Sequence, residues 1–203
     1  MAKTKEQLLN ILDQFQLDEK VVSAEPFGNG HINDTLKVTN EKGEIKYVLQ
    51  RINHLIFTNV DMLQNNIHVV TTHIRKKLEE KGETDIDRKV LTFLPTKDGK
   101  KYYFDGDSYW RVCLFIPRSK SYEEVTPELS YEAGKAFGDF QTLLSDIPAG
   151  TLGETLPDFH NMEFRLKQLR DAVATNAAGR VAEVQYYLDE IEKRADEMCK
   201  AER

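Results

Sequence analysis

Period-two alternation of apolar and polar residues dominates the first half of this chain and gives way to helical spacing after Pro117. Leu8, Leu9, Ile11, Leu12 and Phe15 fall on one helical face, predicting a short helix that ends near Gln16. Residues 23–27 read as a strand. Leu36 and Val38 alternate with Thr35, Lys37 and Thr39, and residues 44–52 put Ile45, Tyr47 and Leu49 on one side and Lys46, Val48 and Gln50 on the other. Asn40-Glu41-Lys42-Gly43 supplies the turn between those two strands. Val60, Leu63, Ile67, Val70, Ile74 and Leu78 then recur every three or four residues, predicting one long helix over 58–78, with Thr58 as N-cap and Asp61 completing a weak capping box. Residues 90–94, 102–104 and 109–116 return to strand pattern, separated by Asp-Gly turns. The expectation for residues 1–117 is an α+β lobe: an antiparallel sheet of about five strands carrying one long helix.

Beyond Pro117 the pattern is helical. Thr126 caps a helix with Pro127 at its first position, and Leu129, Ala133, Ala136, Phe137, Phe140 and Leu144 form its apolar face. Residues 147–160, with two prolines and two glycines, read as a loop, followed by helices over 163–174 and 181–201. Residues 118–203 are therefore expected to form a second, all-helical part. Neither an internal repeat nor a low-complexity tract is present.

Composition narrows the function classes. The 203 residues are 40% hydrophobic, enough to bury a core, and 31% charged in both signs with a net charge of −6. A weakly acidic chain with scattered basic residues argues against nucleic acid as partner, because phosphate neutralisation needs a basic face. Cys113 and Cys199 are isolated, one in an apolar strand-like run and one near the end of a charged helix, so a buried thiol and a surface thiol are expected rather than a disulfide or metal site. The first residues lead into an amphipathic helix, and no apolar run nears the ~20 residues that span a bilayer. A cytoplasmic protein without a membrane partner is expected.

One stretch stands out chemically: Gly28-Asn29-Gly30-His31-Ile32-Asn33, between two predicted strands. Glycines let backbone N–H groups crowd around an anion. A Rossmann fingerprint would run on into a helix, and a Walker A loop would need Gly-Lys-Ser/Thr; neither condition is met. Strand–turn–strand is the arrangement of the kinase glycine loop, which covers ATP phosphates. The same six residues also suit a tight hairpin that uses glycine for geometry alone.

The order of glycine turn, strand, helix, three strands, hinge and helices resembles the aminoglycoside-phosphotransferase and choline-kinase-like family, and within it the N-acetylhexosamine 1-kinases. Glu25 to Asn33, Tyr47-Val48-Leu49-Gln50, Trp110-Arg111-Val112, Ala133 to Gln141, Phe159-His160 and Phe164-Arg165 carry the resemblance. It implies a protein-kinase-like N-terminal lobe, then an incomplete helical C-terminal lobe. It also implies transfer of the ATP γ-phosphoryl group to the anomeric hydroxyl of an amino sugar, with Mg²⁺ as cofactor. The nucleotide would meet Gly28, Asn29, Gly30, His31, Ile32, Asn33, Gln50, Phe115 and Ile116, and His31 would also reach the sugar. The family's catalytic Asp and metal ligands belong to motifs that do not occur after Pro117 in these residues, so no catalytic or metal residue is assigned. The string from His31 to Asp34 precedes the hinge and is not the catalytic loop. The expectation is the N-terminal portion of a kinase, inactive unaided; a non-catalytic module that binds a nucleotide or a partner protein is the other reading.

Two departures from the family pattern matter. Gln50 stands where such kinases place a strand lysine, and residues 58–78 hold no Glu to pair with one. Gln50 is therefore expected to pair with Gln64, Asn65 or Asn66. In Leu114-Phe115-Ile116-Pro117, a hinge donor must come from Ile116 or Arg118, because proline has no N–H; an ordinary buried strand ending at proline fits the same residues. His54, His68 and His73 are assigned to packing or surface roles.

Overall fold

Helix α1 (Lys5–Leu12) starts where Thr4 and Gln7 cap each other's backbone N–H groups, at 3.3 and 2.9 Å. It ends sooner than its apolar spacing predicts. The backbone of 14–16 pairs instead with 95–97, through Gln16 N–H to the Pro95 carbonyl and Lys97 N–H to the Gln14 carbonyl. Phe15 thus reaches the core from an extended segment bridged to Thr96, not from the helix. The computed structural model describes residues 3–28, 30–122 and 124–202.

The strands are β1 (Val21–Pro26), β2 (Asp34–Asn40), β3 (Ile45–Ile52), β4 (Phe93–Leu94), β5 (Tyr103–Phe104) and β6 (Tyr109–Leu114). They form one antiparallel six-stranded sheet in the order β1-β2-β3-β6-β4, with β5 also paired to β6. The fold is α+β. Because side chains alternate across a strand, Leu36, Val38, Tyr47, Leu49, Trp110 and Val112 share one face and close onto Leu8, Ile11, Leu12 and Phe15. The opposite face carries Thr35, Gln50, Arg111 and Cys113.

Helix α2 (Val60–Glu80) is capped by Asn59, whose Oδ1 accepts the Met62 N–H at 2.9 Å, one residue later than expected. Its buried positions are Val60, Gln64, Ile74 and Leu78, so one glutamine sits among the apolar residues. A short helix α3 (Ile86–Lys89) shortens the strand expected over 90–94, because Arg75 and Thr92 hold Asp87 and leave only Phe93 and Leu94 paired. Val90 turns onto Ile74 and Leu78.

Helix α4 (Pro127–Leu144) begins at Thr126, as its cap residues predict. None of its residues is buried: Leu143 and Leu144 pack against Ile74, Leu78 and Val90, while Phe137 and Phe140 are exposed. The loop after it is tied to α2 by a reciprocal pair, Asn66 Nδ2–H to the Gly153 carbonyl at 2.6 Å and Gly153 N–H to Asn66 Oδ1 at 3.0 Å.

Contacts group the chain into two compact units, Met1–Thr155 and Leu156–Arg203. The second holds α5 (Met162–Thr175) and α6 (Gln185–Met198), with 3-10 turns at Val181–Val184 and Cys199–Glu202. Its small core is Leu166, Ala195 and Cys199, flanked by Met162 and Ile191. Cys199 is therefore buried, not a surface thiol: it lies four residues beyond Ala195 and continues that helix face. No helix among the described residues is long and apolar enough to cross a membrane.

Candidate functional site

The glycine turn joins two neighbouring antiparallel strands. Pro26 opposes Leu36, and Phe27 N–H donates to the Thr35 carbonyl at 2.9 Å, so the chain leaves β1 and returns along β2 without entering a helix. Gly28 has φ +80, the left-handed region that strains any residue with a Cβ. Gly30 does not share that need, and a Cβ there would meet only the Asn33 carbonyl at an ordinary 3.8 Å. Asn29 lies outside the described residues. His31 and Ile32 are exposed at the tip. Asn33 turns back, its Oδ1 accepting the Asn53 N–H at 3.0 Å, which ties the turn to the end of β3.

On the face opposite α1, a polar row crosses three strands. Thr35 opposes Gln50, and Gln50 opposes Arg111. Gln50 Nε2–H donates to Thr35 Oγ1 at 3.1 Å, and Arg111 Nε–H donates to Gln50 Oε1 at 2.9 Å. Gln50 therefore pairs with Thr35 and Arg111, not with residues of α2 as expected. Asn65 instead accepts from Lys101, and Asn66 holds Gly153. The reason is register: Arg111 is the direct cross-strand neighbour of Gln50. Arg51, next in the chain, points the other way and pairs with Asp34 at 2.6 Å.

The Arg111 guanidinium lies 5.3 Å from the Phe93 ring centroid. Its Nη1 is buried with no hydrogen-bond partner, as is the Nε2 of Gln64, a residue only 3% exposed. Burial opposes the charged form of Arg111 and lowers its pKa, with the neighbouring Cys113 acting in the other sense. Burial also pushes the Cys113 thiol up to about 11, leaving it a protonated, inert neighbour.

At the end of β6 the backbone donors are nearly all engaged. Leu114 N–H donates to the Thr92 carbonyl and Phe115 N–H to the Lys46 carbonyl, both at 2.9 Å. The Ile116 N–H has no backbone partner among the described residues, while its carbonyl accepts from Ser119. The Phe115 ring meets the Phe27 ring edge-on at 5.9 Å, so the start of the glycine turn and the end of β6 are in contact.

Two clefts of the first unit bear on these residues. The larger, about 750 Å³, lies on the α1 side and is lined by Lys3, Leu8, Trp110 and Arg51, with Gly28, Gly30 and Asn33 at its rim. The smaller, about 420 Å³, lies between α2 and β4 and includes Gln64, Phe93, Arg75 and Lys101. Gln50, Phe115 and Ile116 line neither and are half-buried on the open sheet face. Arg111 and Gln64 are the residues that sequence reasoning did not select as site members. A charged residue inside the otherwise apolar strand pattern of 109–116 was the available signal for the first.

Among the described residues, no group of three or more His, Cys, Asp or Glu is placed to hold a metal ion. The chain matches no protein-family model.

Proposed function

We propose that this chain is the nucleotide-gripping portion of an ATP-dependent small-molecule kinase, of the aminoglycoside-phosphotransferase type and with an amino sugar as acceptor. In this reading residues 1–117 work as a kinase-like N-terminal lobe and residues 118–203 begin the helical C-terminal lobe. The observation that carries it is the contact between Phe27 and Phe115, which joins a glycine turn of strand–turn–strand form to the end of β6, where the Ile116 N–H has no backbone partner among the described residues. A purine base would lie beside these rings and accept from the Ile116 N–H. The turn from Gly28 to Asn33 would present its amides to the phosphates, and His31 at the exposed tip would reach the sugar.

ATP supplies the phosphoryl group when bound. This chain's residues contribute binding and orientation, which is most of what phosphoryl transfer asks of a protein. The metal ligands of this reading are expected outside these 203 residues, and no step is assigned to Mg²⁺. These 203 residues are expected to bind nucleotide without turning over sugar.

Amide-resolved NMR of the 203-residue chain titrated with ATP tests the reading. Gly28, Gly30 and Ile116 should shift together; a titration that leaves all three in place while other amides move would overturn it. The second reading, a non-catalytic module that binds a nucleotide or a partner protein, differs in lacking a phosphorylated product when the complete encoded protein is assayed with ATP and N-acetylhexosamine.

A further inference from the structure

The polar row on the open sheet face leaves an imbalance. Gln50 has its carbonyl and its amide fixed by Arg111 and Thr35, and this pins its orientation: a flipped amide would set donor against donor at Arg111. Its carbonyl and one of its two amide N–H groups are thereby committed, which leaves a single N–H to offer a phosphate. What remains unmatched is Arg111 Nη1 and Gln64 Nε2, and both are hydrogen-bond donors. Buried polar groups without partners are rare and costly. Two donors, one of them cationic, ask for an acceptor that carries negative charge.

The two groups are connected through Phe93. The guanidinium lies over the Phe93 ring, and Phe93 and Gln64 line the same cleft between β4 and α2. The ring and Gln50 hold the guanidinium plane from two sides, so little rotamer freedom is left for a ligand to remove. Coordinated oxyanions are the ligands that guanidinium groups recognise best, through parallel N–H donors.

We infer that Arg111, positioned by Gln50 and assisted by Gln64, is the cationic centre that receives the polyphosphate of the nucleotide. It thus puts on β6 a charge that position 50 of β3 lacks. This rests on the nucleotide-binding reading above. Burial that lowers the Arg111 pKa fits a cation prepared in a poorly solvated place and awaiting an anion.

Calorimetric titration of the 203-residue chain with ATP, inorganic tripolyphosphate and adenosine separates the inference from the reading beneath it. Arg111→Met should weaken ATP and tripolyphosphate about tenfold or more, as expected for losing hydrogen bonds to a charged group, and leave adenosine within about twofold. Arg111→Lys should recover part of the loss, because it keeps the charge and not the fork. Gln64→Leu should weaken the same two ligands about threefold. If Arg111→Met does not fold by circular dichroism, the Arg111→Lys and Gln64→Leu titrations decide. Unchanged ATP and tripolyphosphate affinities in these variants overturn the inference and leave the nucleotide reading standing. Tripolyphosphate held through Arg111 with ATP no tighter overturns the reading and keeps the anion centre. No binding of any of the three overturns both.

Discussion

The two faces of the sheet solve opposite problems. On the α1 side, the aromatic residues that bring polar atoms into the core find partners for them. Trp110, 2% exposed, donates its indole N–H to Asp105 at 2.9 Å, and the Tyr47 hydroxyl accepts the Asp18 N–H at 3.1 Å. On the other side, Arg111 and Gln64 keep buried donors with nothing to receive them. The first face is matched, so these residues serve stability. The other keeps buried donors that no described residue meets, which costs stability unless an acceptor from outside the chain meets them.

That contrast can be broken most forcefully at Trp110. Trp110→Ala should destabilise the chain by about 3–5 kcal/mol, read by urea unfolding, since it opens a cavity in a core made of Leu49, Val112 and Leu12. A loss below about 1 kcal/mol would mean that this face is not the main core.

The Asp105 carboxylate is the next lever. Burial by itself would raise its pKa, but Lys3 at 2.8 Å, the N–H groups of Ser108 and Asp107, and the Trp110 indole outweigh burial and hold it at about 2. A carboxyl depressed on folding stabilises fully above its ordinary value of 3.8 and loses that contribution as pH falls toward 2. Asp105→Asn should therefore cost about 1–2 kcal/mol at neutral pH, and the gap from wild type should close over that acid window. A gap that stays constant would assign the effect to packing.

At the glycine turn, Gly28→Ala should cost about 1 kcal/mol because its φ is left-handed. Gly30→Ala should be close to silent in thermal unfolding. Equal losses at both positions would contradict the described turn. The smallest effect is expected at the open face: Arg111→Met should change stability by less than about 1 kcal/mol, because losing the Gln50 hydrogen bond is offset by removing a buried, half-partnered charge. A large loss there would make Arg111 a structural residue.

Much of this fold was legible because period-two alternation is a local signal. Residues 35–39 and 44–52 read as two strands around the turn from Asn40 to Gly43, and β2 and β3 lie there with Tyr47 and Leu49 inward. Capping chemistry placed α4 from Thr126 and Pro127 alone. The errors have a common origin in non-local pairing. Phe15 matched a helical face yet bridges Thr96, eighty-one positions away, and the strand expected from Val90 is cut short by α3. At the site, the face on which Gln50 lies followed from alternation. Its partner did not, because which strand stands beside β3 is a property of sheet order, and β6 is separated from β3 by two helices and two strands.

The place of β6 in that order bears on how the chain folds. β6 is last of the six to be made, yet β3, β4 and β5 all pair with it. Strands β1 to β3 can meander together as soon as they emerge from the ribosome, but the exposed rim of β3 must then wait for residues 109–114. Closing so long a span is slow relative to hairpin formation, and an uncovered strand rim invites pairing with another nascent chain. A polypeptide halted before Tyr109 should accordingly self-associate, and extending it through Leu114 should restore a dispersed species.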